Sequence, residues 1–164
     1  MAYIYKNLKS KFFHLIPISL LLFISLNGSS ILDLKLFSIY IHYILVYYWV
    51  LRDPDSIGYG LIFLSGIISD VIFGVPLGSN ALALLVVAGV AAYVRVVAVR
   101  MTLLNDCISF LPAILLGNLV YFLSLYYSGY SINYLYLFKD SIFTIIFYPI
   151  LWGIFSLIHN IMRS

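Results

Sequence analysis

Six apolar runs follow one another along the chain, each closed by a short break rich in Asp, Asn, Gly, Pro or a cation. They cover residues 12–29, 36–51, 57–73, 81–99, 108–127 and 141–158. Each is close to the roughly 20 apolar residues that cross a bilayer as a helix. The pattern therefore predicts an all-α polytopic membrane protein, a single transmembrane domain of six helices. The breaks refine the picture. The first run follows a leader with Lys6, Lys9 and Lys11 and lacks a small-residue cleavage pattern, so it is expected to stay as a helix. Tyr47, Tyr48 and Trp49 close the second run as an interfacial belt would. The turn Arg52-Asp53-Pro54-Asp55-Ser56 is expected to cap the third helix through Asp55 or Ser56. Residues 101–107, with Asp106, and 128–140 read as loops, the latter aromatic enough to lie on the membrane surface. Pro112 falls in the first turn of the fifth helix, and Pro149 predicts a kink near Tyr148 in the sixth.

The most informative stretch is residues 57–100. Gly66, Asp70, Gly74 and Gly78 recur every fourth position. On a helix this spacing lines Gly66, Asp70 and Gly74 along one narrow face, where glycines admit a second backbone. An acid inside an apolar run is costly in lipid and must face protein or water. Pro76 disfavours helix at Val75, so the third helix should stop near Gly74 and leave Gly78 in the turn. The fourth run is rich in Ala, Val and Gly and should pack within protein; Arg95, near its end, can snorkel. His42, in the second run, is a candidate partner for Asp70 at matched depth.

Composition agrees with a membrane setting. Hydrophobic residues make up 64% and charged residues 9% of the chain, with mean hydropathy +1.09. Soluble domains carry about a quarter charged residues. The net charge of +3 is a matter of topology rather than of nucleic-acid affinity. With six spans, Lys6, Lys9, Lys11, Arg52, Arg95, Arg100 and Arg163 share one side, and Lys35 and Lys139 the other. The positive-inside rule then puts both termini in the cytoplasm. Cys107 is the only cysteine, so neither an internal disulfide nor a cysteine metal site is expected. There is no Glu, the three histidines (His14, His42, His159) are scattered, and no phosphate-loop, zinc-protease or serine-hydrolase motif occurs. No enzyme activity, metal or cofactor is expected.

The stretch G-I-I-S-D-V-I-F-G-V-P-L-G-S-N-A-L at 66–82 resembles the signature of MreD, the bacterial rod shape-determining membrane protein family. The matching element is Gly66, Asp70, Gly74, Leu77 and Gly78. Tyr48 to Pro54, and Phe147-Tyr148-Pro149-Ile150-Leu151-Trp152 near the end, match the family in character and order. The chain departs from the family in lacking a proline around Leu34 to Ser38 and in a basic tail reduced to Arg163. The resemblance implies a fold similar to the substrate-binding subunits of energy-coupling-factor vitamin transporters. It also implies a non-enzymatic scaffold of the bacterial elongation machinery (the elongasome) in the inner membrane, serving rod cell shape and lateral peptidoglycan synthesis. The partners it implies are MreC, the MreB filament, the RodA glycosyltransferase and a class B penicillin-binding protein. Gly66, Asp70 and Gly74 would form a packing seam, with Asp70 fixing the 74–80 turn; Pro76, Leu77 and Gly78 complete the motif, and His42, Arg95, Pro149 and Trp152 are secondary candidates. Two other classes compete. A ligand-binding transporter subunit would need a pocket lined by polar groups such as Asp70, Asn80, Asn118 and His42. A membrane-embedded lipid enzyme would need clustered acids, and Asp53 and Asp55 read instead as solvated caps.

Overall fold

The computed structural model describes residues 15–26, 40–54, 56–98, 102–130 and 134–163. These form six helices: α1 (Leu15–Leu26), α2 (Ile41–Arg52), α3 (Tyr59–Phe73), α4 (Ser79–Val97), α5 (Leu103–Tyr127) and α6 (Tyr134–Arg163). Ser79–Val97, Leu103–Tyr127 and Lys139–Asn160 within α6 are long and apolar enough to cross a membrane. α1 and α3 are shorter apolar helices. The runs at 12–29, 36–51 and 57–73 thus become helices, though not of spanning length among the described residues. The leader lysines, Lys35, Asp55 and Arg100 lie outside those residues.

Consecutive helices alternate in direction, and polar contacts at the two ends of the bundle show it. At one end Ser25 of α1 meets His42 of α2, Asp70 of α3 meets the start of α4, and the α2 N-cap Tyr40 bonds Thr144 of α6. At the other end Arg52 closes α2, Asp106 opens α5 and Trp152 of α6 joins them. Arg52 and Arg95 therefore share an end, opposite Lys139.

α2 is the axis of the bundle. Every residue in it except His42 and Arg52 is buried. A helix that is apolar all round belongs inside, and the ring packing around this one is dense. Tyr47 meets Phe110 and Tyr148 edge-on, at 5.1 and 6.1 Å between centroids, and those two stack at 4.4 Å. Trp49 packs edge-on against Phe155 at 5.0 Å. Tyr47, Tyr48 and Trp49 are thus core residues and not the expected interfacial belt. Their placement follows from α4, α5 and α6 all packing on α2.

α4 is the most heavily packed helix, touching α2, α3 and α5. Its small residues face inward: Ala81, Ala83, Ala88 and Ala91 are buried, while Leu82, Tyr93, Val96 and Val97 face out. Four local expectations change. α3 takes Gly58 as N-cap without a side-chain cap, because the Ser56 hydroxyl is spent on Asp53. Asp106 belongs to the first turn of α5 and not to a loop, since Thr102 caps the helix by accepting from the Asn105 N–H. Pro112 consequently lies in the interior of α5 and not in its first turn. Residues from Tyr134 onward, expected as loop, are helical.

Candidate functional site

The Asp70 element is built from two helix ends. α3 stops at Gly74, whose φ of 63° is left-handed. The Val75 N–H then returns to the Asp70 carbonyl at 3.1 Å and the Gly74 N–H to that of Val71 at 3.4 Å, closing the helix in the manner a C-terminal glycine permits. Gly78, with φ 98°, begins α4 without a side chain to cap it. Asp70 supplies the cap from the neighbouring helix. One carboxylate oxygen accepts from the Gly78 N–H at 2.7 Å; the other accepts from the Asn80 N–H at 2.8 Å and the Asn80 side-chain amide at 2.9 Å. Asp70 is 0% exposed. Three donors and the positive end of α4 offset the cost of burying its charge.

The glycines of the motif do different work. A Cβ on Gly66 would stand 2.3 Å from the Cα of Ala81, so α3 and α4 touch backbone to backbone there. A Cβ on Gly74 or Gly78 would meet nothing within 4 Å; those two are required by positive φ. The close-packed seam is therefore Gly66 on Ala81 and does not extend to Gly74. The turn it steadies is apolar and outward: Leu77 is 71% exposed, with Val75 and Pro76 half-buried beside it. Pro76 accepts from both the N–H and the hydroxyl of Ser79, and Tyr130 donates to the Gly74 carbonyl.

His42 is not joined to Asp70. Its Nε2 lies 3.1 Å from the Ser25 hydroxyl, so it links α1 to α2. It does share a cavity of about 140 Å³ with Tyr40, Ile41, Tyr43, Phe73, Asn80, Leu84 and Tyr121. Asn118 is elsewhere, donating to Ser141 at 2.6 Å between α5 and α6. Arg95 is exposed on α4.

A second polar cluster was not assembled by sequence reasoning. Arg52 pairs with Asp106 at 3.0 Å, and the Trp152 indole N–H donates to the same carboxylate oxygen at 2.9 Å. The guanidinium lies 5.9 Å from the Tyr48 ring centre and 5.4 Å from that of Trp152. Asp106 is 3% exposed and Arg52 24%. The sequence marks Trp152 only through the final aromatic–proline stretch, and its partners lie 46 and 100 positions away. The one local hint was Asp106 placed just after Thr102, where an acid suits a helix start.

Together these features define an all-helical protein with helices of membrane-spanning length, in which the buried carboxylates of Asp70 and Asp106 both tie helices together. No family model, curated protein or solved structure matches the chain. Among the described residues, no group of His, Cys, Asp or Glu could hold a metal.

Proposed function

We propose that the chain is an MreD-like membrane scaffold: a non-enzymatic, multi-pass component of a bacterial cell-elongation machinery, with six transmembrane helices and both termini in the cytoplasm. The similarity to energy-coupling-factor binding subunits belongs to the same proposal. What supports it is the Asp70 cap, which joins Asp70 to Gly78 and Asn80 across the turn that carries Leu77, while Gly66 packs on Ala81. A buried charge is expensive. Here it is used to hold an uncharged turn that presents Leu77 outward. A fixed apolar projection suits docking to another membrane protein better than it suits turnover of a substrate.

In this reading Leu77 and the exposed Tyr127 lie at the outer face, near MreC-like, RodA-like or penicillin-binding partners. The test is photo-crosslinking in growing cells from probes placed at Leu77 and Tyr127. Capture of wall-synthesis proteins is expected. Capture of transport ATPase subunits in their place would overturn the proposal.

A further inference from the structure

We propose that the bundle thins the bilayer beside α3: at the Arg52 end the polar surface of the membrane dips about 13 Å to meet the start of that helix. The inference rests on the transmembrane part of the scaffold reading and not on its partners.

The register of α3 on α4 comes first. At the Asp70 end the two helices are flush, because the carboxylate caps the first residues of α4 and Gly66 packs on Ala81. From that contact α3 runs back to Tyr59, about 10 Å, whereas α4 runs on to Val97, about 24 Å. Tyr59 is therefore level with Ala88, and α4 continues about 13 Å beyond the start of α3. Burial follows this register. The inward face of α4 is buried as far as Ala91; past it Tyr93, Arg95, Val96 and Val97 are exposed, Val96 by 86%. α2 does reach the full depth. Gly117 packs on Val87, so Asp106, about 16 Å back along α5, is level with the end of α4, and Arg52 is bonded to it. The chain climbs from Arg52 to Gly58, with Ser56 and Ile57 buried on the way.

What stands at the top of that climb is polar backbone. α3 has no side-chain cap, so its leading N–H groups call for water. Gly58, Tyr59 and Gly60 are exposed there, and a Cβ on either glycine would meet nothing within 4 Å. Backbone donors facing lipid are costly, and backbone cannot snorkel as a long side chain does. A short hydrophobic stretch is otherwise met by thinning of the bilayer. Tyr59 and Tyr93 are exposed on the two sides of the step, as suits side chains at a membrane surface.

The opposite edge of the bundle has no such step. The contact of Gly117 with Val87 puts Leu115 and Leu116 of α5 level with Tyr59, and both are exposed leucines. At one depth the perimeter is thus apolar along α5 and polar at the start of α3.

Nitroxide labels test this, placed on Tyr59→Cys, Gly60→Cys, Leu115→Cys and Leu116→Cys in a Cys107→Ser background. The full-length chain is put in phosphatidylcholine liposomes, and collisions are read with a water-soluble nickel chelate and with oxygen. The chelate should meet the labels at 59 and 60 several-fold more often than those at 115 and 116, and oxygen should show the reverse. Each pair gives two readings of one depth, so the loss of one variant to misfolding leaves the comparison intact. Labels at 59 and 60 as shielded from the chelate as those at 115 and 116 would overturn the thinning and leave the transmembrane reading standing. Free access of the chelate to all four would mean that the helices do not cross, and both would fall.

Discussion

Asp70 shows how one residue can be both a liability and a fastener. A lone acid in an apolar helix is costly in lipid, and sequence alone marks it as unusual. In the fold both its oxygens are occupied, by two backbone N–H groups and one side-chain amide. Its neighbours explain the spacing. Four residues back, Gly66 lets α4 approach; four residues on, Gly74 ends the helix so that the chain can turn toward the carboxylate. Asp70→Asn keeps the shape but replaces one acceptor oxygen by an N–H₂ that faces donors. Bonds to a charged acceptor contribute about 1.5–3 kcal/mol each and an unmet donor costs about 1–3, so a loss of about 3 kcal/mol is expected. The measurement is reversible unfolding in mixed micelles; a change below about 0.5 kcal/mol, the level typical of inert surface substitutions, would contradict the cap.

The elements are joined by two kinds of contact. α3, α4 and α5 pack largely through small residues and shape, with Asp70 fastening α3 to α4, and α6 is held to its neighbours in part by polar clasps. Near one end Thr144 meets Tyr40 and Ser141 meets Asn118; near the other Trp152 meets Asp106. The Arg52–Asp106 pair ties α2 to α5 at the point where Trp152 brings in α6. Breaking a buried pair by removing one partner costs about 3–5 kcal/mol, while an apolar replacement of both can be neutral. Arg52 is partly exposed, which reduces the loss below that range: Arg52→Met should lose about 2–3 kcal/mol. The double variant Arg52→Met with Asp106→Leu should recover much of that loss. A loss in the double variant equal to the sum of the two single losses, again by reversible unfolding, would show that the ions act independently. This cluster was hidden from the sequence because its members lie 54 and 46 positions apart, Arg52 and Asp106 read as parts of separate connections, and Trp152 stood out only through the final aromatic–proline stretch. The Asp70 element was more legible because its cap closes within ten residues: the four-residue spacing marked Gly66, Asp70 and Gly74, although it also drew Gly74 into a seam that the fold confines to Gly66. The role of α2 was misjudged for a third reason. An apolar helix reads the same whether lipid or protein surrounds it, and only packing distinguishes the two.

At the scale of the whole molecule, the alternating helix directions separate two ends with different chemistry. Leu77 and Tyr127 mark the Asp70 end, and Arg95 marks the Arg52 end, together with the last turns of α6. The Arg52 end carries Arg52 and Arg95, as a cytoplasmic face should. This gives a topology that single cysteines can test, because the natural thiol is confined to Cys107 and can be removed as Cys107→Ser. In that background, Leu77→Cys and Tyr127→Cys should react from outside intact spheroplasts with a membrane-impermeant maleimide. Arg95→Cys should react only after permeabilisation. All three positions are exposed on the protein surface, so failure to react reflects the membrane and not burial. Reaction of Leu77→Cys and Arg95→Cys from the same side would mean that α4 does not cross. The alternation of α1 to α6 would then describe a bundle lying on the bilayer, and the positive-inside argument would lose its subject.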